Sequence, residues 1–327
     1  MDLASIPTMI RDYQVLGKIG TGRYGTAFRV FSHRYKCDFC LKVISANDQT
    51  TPQLTRFLFN KEAETLRKVG HINVIRLYDY FQEGDYFYIV TELCGDGTLA
   101  NYLDENEKMD ITMLKVTFRH ILEAISFIHS LNICHRDIKP ANIGFDSLKR
   151  PKILDWGYST VVQEGQKLTT YCGSYPYVAP ECVSRTPYDG KMCDIWALGV
   201  TLYVMALGQD PWTGKHQNEK MTQIVTGSYC IPPGDTLLSD LIRKMLRVQP
   251  EQRITASEAL KHEFFRVGCQ LLKPKSVSAR AKMILPKYSS IMLQTSPEKC
   301  GNGSESSRNC MSCSRRRING CISKTFF

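Results

Sequence analysis

Apolar and polar positions change their period about a third of the way along the chain. Over residues 13–45, β-branched and aromatic residues fill the intervals between glycines in YQVLGKIG, TGRYGTAFRVF and DFCLKVI, a pattern that predicts strand, turn and strand. From residue 53 to 69 the period lengthens, and Leu54, Phe57, Phe59, Ala63, Leu66 and Val69 fall at helical spacing. Two more strand-like runs, VIRLYDYF and YFYIVTEL, are joined by the turn residues Glu83, Gly84 and Asp85. Beyond Gly97 the pattern is helical. Met113, Leu114, Val116, Phe118, Ile121, Leu122, Ile125 and Ile128 make one apolar stripe. Residues 194–207 are apolar nearly all round, as in a buried core helix, and LLSDLIRKML and ASEALKHEFF are amphipathic, with Thr255 as N-cap of the second. The longest nearly unbroken apolar run, 195–208, is 14 residues and short for a membrane span. No internal repeat is visible.

Composition adds a boundary. With 327 residues, 43% apolar and 23% charged, the chain is predicted to be globular, as two domains or one larger bilobal unit. The start of the sequence has no basic segment leading into an apolar one, which predicts no secretory leader, so the 13 cysteines are expected as reduced cytosolic thiols. The net charge of +10 sits wholly in residues 266–327, which hold 12 basic and 2 acidic residues; the remainder balances at 30 of each. The basic pI therefore does not predict specific nucleic acid binding by the main body. The last 62 residues, rich in Ser, Lys and Arg, are expected to be a largely disordered tail with one docking helix around 276–285.

Chemistry enters at Gly20-Thr21-Gly22-Arg23-Tyr24-Gly25, preceded by Ile19. Glycines let backbone amides approach phosphates. A dinucleotide site and a plain hairpin turn carry the same letters, but a dinucleotide site needs a helix opening at the third glycine, and here residues 26–30 continue as a strand. Lys42 lies in an apolar strand, where an unpaired lysine is uncommon, and Glu62 lies on the following helix. Taken singly they read as a solvated strand lysine and a helix-surface glutamate. The next segment changes that reading. Cys134-His135-Arg136-Asp137-Ile138-Lys139-Pro140-Ala141-Asn142 puts a carboxylate, cations and an amide on one short loop; Asp155-Trp156-Gly157, Ala179-Pro180-Glu181, Asp194-Ile195-Trp196 and Arg253 follow in order.

That order, from Tyr13 to Phe265, resembles the eukaryotic protein kinase family. The resemblance implies an α+β bilobal fold with a small antiparallel lobe (13–94) and a larger helical lobe (95–265), between a short extension (1–12) and the tail (266–327). It implies an ATP- and Mg²⁺-dependent serine/threonine kinase acting on a protein hydroxyl. Ile19, the loop from Gly20 to Gly25, Ala27, Cys40, Thr91, Glu92 and Cys94 would surround the nucleotide. Lys42, paired with Glu62, would hold the phosphates. Asp137 would accept the hydroxyl proton, Lys139 would neutralise the transferred group, and Asn142 and Asp155 would hold the metal ions. Glu181, Arg253 and Asp194 look structural. Leu168-Thr169-Thr170-Tyr171-Cys172-Gly173-Ser174 resembles the calmodulin-dependent and SNF1-like branch, with some similarity to the testis-specific and sperm-motility serine kinases. There Thr170 would be phosphorylated by an upstream kinase and read by Arg136.

The chain departs from the family pattern at several places. Trp156 replaces a phenylalanine and is expected in an apolar slot with Leu66 and His135. Ala27, Cys40 and Gly144 replace residues that line the adenine pocket, and the first and third lose branched side chains, so weaker ATP affinity is expected. Thr91 opens a back pocket. Thr98 and Ala141 are not acidic, which disfavours selection of an upstream arginine. The remodelled adenine pocket is the only argument for the alternative, a pseudokinase scaffold. In the tail, Cys310 and Cys313 have zinc-like spacing, but the irregular outer spacing to Cys300 and Cys321 and the lack of a nearby histidine disfavour a metal site. Arg315, Arg316 and Arg317 offer contact with anionic membrane or nuclear import machinery, and the expected location is cytoplasmic and also nuclear.

Overall fold

A computed structural model describes residues 7–22, 25–46, 51–231 and 234–266. Arg23, Tyr24 and the expected tail features, including the docking helix, Cys310, Cys313 and Arg315 to Arg317, lie outside the described residues.

The smaller lobe is a six-stranded antiparallel sheet covered by one helix. Its elements are β1 (Met9–Ile10), β2 (Tyr13–Gly22), β3 (Gly25–Ser32), β4 (Cys37–Ser45), α1 (Pro52–Lys68), β5 (Leu77–Glu83) and β6 (Tyr86–Glu92), in spatial order β1-β2-β3-β4-β6-β5. Period-two alternation divides β4 between two faces. Leu41 and Val43 join Phe28, Val30 and Val90 in one buried cluster, whereas Ile44 faces the other way, with Phe59 of α1, Phe87 and Ile89. The same alternation turns Cys40 and Lys42 toward the α1 side. Helix α1 begins where Thr51 accepts the amide of Leu54 and Pro52 takes the first turn, and it ends with Arg67 and Lys68 beside the exposed carbonyls.

The strand expected from residue 74 starts only at Leu77. Val74 and Ile75 instead pair with Ile153 of the larger lobe, and Asn73 donates to the Pro151 carbonyl. This apolar run is divided between two lobes, which its periodicity does not reveal.

The larger lobe contains α2 (Leu99–Asn106), α3 (Ile111–Ser130), β7 (Ile133–Cys134), β8 (Ile143–Phe145), β9 (Pro151–Ile153), β10 (Thr160–Val161), α4 (Pro180–Val183), α5 (Gly190–Leu207), α6 (Gln217–Thr226), α7 (Thr236–Met245) and α8 (Ala256–Ala259). Helix α5, at 18 residues, is longer than its apolar run and has the length and composition of a membrane span. Most of it is buried among α3, α7 and β7, and Trp196 stacks on Trp212. The amphipathic run 256–265 is not one helix: α8 ends at Ala259, and a separate 3-10 turn covers Glu263–Phe265. His262 takes an extended conformation and caps that turn, its ring also holding Asp240.

Two buried charges anchor this lobe. Arg253, whose side chain is fully buried, meets Glu181 through two bonds of 2.7 Å and donates to the carbonyls of Met192, Arg247 and Val248. Asp194, also fully buried, accepts the amides of His135 (2.9 Å) and Arg136 (2.7 Å) and lies 2.9 Å from the His129 ring. Removing one partner of such a pair leaves an uncompensated buried charge. Glu181→Gln is therefore expected to lower unfolding stability by about 3–5 kcal/mol. Urea unfolding with an unchanged slope checks this, and a loss within about 0.5 kcal/mol would contradict it.

Candidate active site

The side chains with chemical potential converge where the sheet lobe meets the loops after β7 and β9. Lys42 Nζ donates to both carboxylate oxygens of Glu62, at 2.8 and 3.0 Å, and lies 3.2 Å from Asp155 Oδ1. Burial opposes the ammonium, but the Glu62 and Asp155 carboxylates outweigh it and hold Lys42 above its ordinary pKa. Lys42 in turn holds the Asp155 carboxyl below its ordinary range, against the effect of burial. Asp155 has a left-handed backbone (φ 49°), as does Arg136 (φ 71°). Left-handed non-glycine residues are strained and cluster where surrounding contacts fix them. For Arg136 those contacts are the bonds to Asp194.

The loop after β7 forms a second cluster. Asn142 Nδ2 donates to the carboxylate and to the carbonyl of Asp137, both at 2.8 Å, and Lys139 Nζ lies 2.9 Å from Asp137 Oδ2. Ser174, thirty-seven positions away, donates to Asp137 Oδ1 at 2.8 Å and also accepts from Lys139. Trp156 is buried, edge-on to the His135 ring at 5.1 Å, and its indole donates to the Ile153 carbonyl at 3.3 Å. Leu66 belongs to the same buried cluster, as expected for the slot beneath α1. The indole bond is one a phenylalanine cannot make.

Gly25 has a distinct role within the glycine loop. A Cβ there would meet the Val43 carbonyl oxygen at 2.3 Å, and its φ of 146° disfavours any side chain. Gly20 has open space around its Cα, and Ile19 is exposed. Ala27 pairs with Gly20 and Lys42, and Cys40 pairs with Thr91. Burial raises the Cys40 thiol and pushes that of Cys94 up to about 12. Glu92 holds Lys152 at 2.8 and 2.9 Å and accepts the Arg76 amide at 2.8 Å. Its side chain is thus committed to a bond between β6 and β9.

Thr170 is exposed, and its carbonyl accepts from the Arg136 guanidinium and, at 2.7 Å, from Tyr188. Arg136 also donates to Tyr188 (3.1 Å) and to the Tyr158 carbonyl (3.3 Å). Lys61, next to Glu62 on α1, has its pKa lowered by burial and by Arg136. Among the described residues, neither cation forms a salt bridge.

The sequence pattern of the protein kinase domain matches residues 13–265. The chain belongs to the protein kinase family. It is 33% identical over 278 residues to the probable serine/threonine-protein kinase fhkD of Dictyostelium discoideum, covering 79% of this chain and 37% of that one. It is 31% identical over 272 residues to serine/threonine-protein kinase SIK1 of Mus musculus, covering 82% and 34%. Against the phosphorylase b kinase gamma catalytic chain, liver/testis isoform, of Mus musculus it is 32% identical over 296 residues, covering 86% and 73%. The chain spans about a third of the length of the first two.

Three contributors to this kinase site were not singled out by sequence reasoning. Lys61 and Lys152 look like ordinary exposed lysines in the sequence, and only the folded chain brings one within electrostatic reach of Arg136 and sets the other on Glu92. Ser174 had a weak signal, as the hydroxyl ending the run 168–174.

Proposed function

We propose that the chain is an active serine/threonine protein kinase that transfers the γ-phosphoryl group of ATP to a protein hydroxyl. The observation that carries this reading is the simultaneous presence of two charge clusters: Lys42 with Glu62 and Asp155, and Asp137 with Asn142 and Lys139. Phosphoryl transfer needs positioning and charge neutralisation more than covalent chemistry, and these groups supply both.

Lys42 binds the nucleotide phosphates, and Glu62 fixes its position. Asp137 orients the substrate hydroxyl and takes its proton on the carboxylate, which Asn142 and Lys139 hold in place. Lys139 offsets charge on the transferred group. Asn142, its amide nitrogen committed to Asp137, and the ionised Asp155 offer oxygen donors suited to Mg²⁺, and these two residues would hold it. Bound metal supplies neutralisation of phosphate charge. The pairing of Glu92 with Lys152 leaves the backbone of Glu92 and Cys94 to meet the base.

Lys42→Met, Asp137→Asn and Asp155→Asn are each expected to keep a folded protein and to lower phosphate transfer by about 10²–10⁴-fold. Labelled-phosphate transfer to a generic protein substrate, paired with thermal unfolding, measures both. Normal turnover by a folded Asp155→Asn protein would refute its assignment.

Activation is proposed to depend on phosphate at Thr170, added by an upstream kinase. Arg136 and Lys61 support this: they are two cations, on the loop after β7 and on α1, that repel one another electrostatically and form no salt bridge to a carboxylate among the described residues. A phosphate of about −1.5 to −2 charges placed between them would link Thr170 to both Asp137 and Glu62. Thr170→Ala should cut turnover by about tenfold or more, a change of about 1.4 kcal/mol or more in barrier, while Thr169→Ala leaves it near normal. Kinetics with mass spectrometry of the segment decides this. Full activity in protein free of phosphate between Asp155 and Glu181 would contradict it.

A further inference from the structure

Cys182 follows Glu181 on α4, and Cys193 precedes Asp194 on α5. Their Sγ atoms lie 3.5 Å apart, and the Cys193 thiol also donates to Glu181 Oε1 at 3.2 Å. Each residue is 8% exposed, and both line one cavity with Cys172, Ser174 and Asp137, so a small solute has a path to the sulfurs. Each backbone is fixed locally: the Cys182 amide donates to the Ala179 carbonyl, and the Cys193 amide to that of Asp189. Among the described residues no group of three side chains is suited to a metal ion, so the pair is read by its own chemistry, that of a dithiol.

A disulfide holds its sulfurs about 2.05 Å apart, so closing this pair needs an approach of about 1.5 Å. Rotation of the two side chains and a small shift of the four-residue α4 supply it. The two thiols are not equivalent. Burial, the bond to Cys182 and the Glu181 carboxylate hold the Cys193 thiol well above its ordinary pKa. Cys193 therefore keeps its proton, facing the same Glu181 oxygen that Arg253 holds at 2.7 Å. Cys182 has no carboxylate contact among the described residues and is the sulfur free to react first with an electrophile in the cavity.

We propose that Cys182 and Cys193 form an oxidation site that hydrogen peroxide converts to a disulfide, and that this bond lowers turnover by displacing the segment 174–182. The Cys182 sulfur attacks one peroxide oxygen, the O–O bond breaks, and the other oxygen leaves as water with the thiol proton, giving a sulfenic acid. The Cys193 sulfur then attacks the Cys182 sulfur. The S–O bond breaks, and the hydroxyl leaves as a second water with the Cys193 proton, for which Glu181 Oε1 is the acceptor within reach. The two sulfurs lose two electrons, and the peroxide gains them. The displaced segment begins at Ser174, which bonds both Asp137 and Lys139. A misplacement of about 1 Å in a positioning group can cost about a hundredfold in rate. The effect on turnover rests on the proposed kinase activity; the disulfide does not.

The test treats the full chain with hydrogen peroxide, blocks the remaining thiols with N-ethylmaleimide and digests with trypsin. Cleavage after Arg185 and Lys191 places the two cysteines in different peptides. Cys182→Ala and Cys193→Ser are treated alongside, the serine keeping a donor toward Glu181, and the exposed Cys37 and Cys230 report the extent of general oxidation. Mass spectrometry is expected to find the two peptides linked, lighter by two hydrogens than their sum, reversed by dithiothreitol and absent from both variants. Wild-type turnover on a generic protein substrate is expected to fall about tenfold or more and to recover with dithiothreitol, while both variants keep theirs through the treatment. Maleimide on both Cys182 and Cys193 when Cys37 and Cys230 are already oxidised, or a link from Cys182 to Cys172 in its place, overturns the site. A Cys182–Cys193 disulfide with unchanged turnover overturns its effect on activity. An untreated wild-type protein without turnover overturns the proposed function, and the linked peptide still decides the oxidation site.

Discussion

The Lys42–Glu62 ion pair is the constraint on which the rest of the site depends. Its ammonium comes from a sheet and its carboxylate from a helix, and both are largely withdrawn from water, Glu62 to 7% side-chain exposure. An unpaired charge there would cost several kcal/mol, so the pair forms only when α1 sits squarely against the sheet. Asp155, from the other lobe, completes the cluster. The position of one helix therefore decides whether Lys42, Glu62 and Asp155 share one site. Phe59, packed among Ile44, Phe87 and Ile89, holds α1 where the charges can meet.

From that pair the dependencies run outward. Trp156 follows Asp155 directly, and its buried ring against His135 joins the Asp155 turn to the catalytic loop, whose backbone is fixed by Asp194. Ser174 brings the segment after Asp155 back onto Asp137, and Arg136 reaches both Thr170 and Tyr188 from the same loop. The buried Glu181–Arg253 pair anchors the end of that segment to the large lobe. Each link is short and uses charged or aromatic groups at fixed positions. This explains how a charge change at one exposed threonine would reach the site.

Much of this was legible in the sequence because phosphate chemistry needs particular residues at particular spacings. The loop from His135 to Asn142 and the Asp155 triplet stand out against any background, and Lys42 is noticeable as the one lysine within an apolar strand. What stayed hidden depends on contacts between distant segments. Lys152 and Lys61 are common lysines until the fold brings Glu92 and Arg136 to them. Val74 and Ile75 continue a strand pattern, yet they pair with Ile153 because that residue offers a free edge in the other lobe. Gly144 reads as an empty place in the sequence, and only the packing of Leu154 and Cys94 shows that the place is taken.

As proposed, these clusters are assembled for transfer to serine or threonine and do not merely bind nucleotide. The most direct measurement incubates the intact chain, phosphorylated on Thr170, with γ-labelled Mg·ATP and degenerate peptide pools whose only acceptor is serine, threonine or tyrosine. Label is expected in the serine and threonine pools and none in the tyrosine pool. Saturable binding of Mg·ATP with no label in any pool would contradict it and make the chain a scaffold.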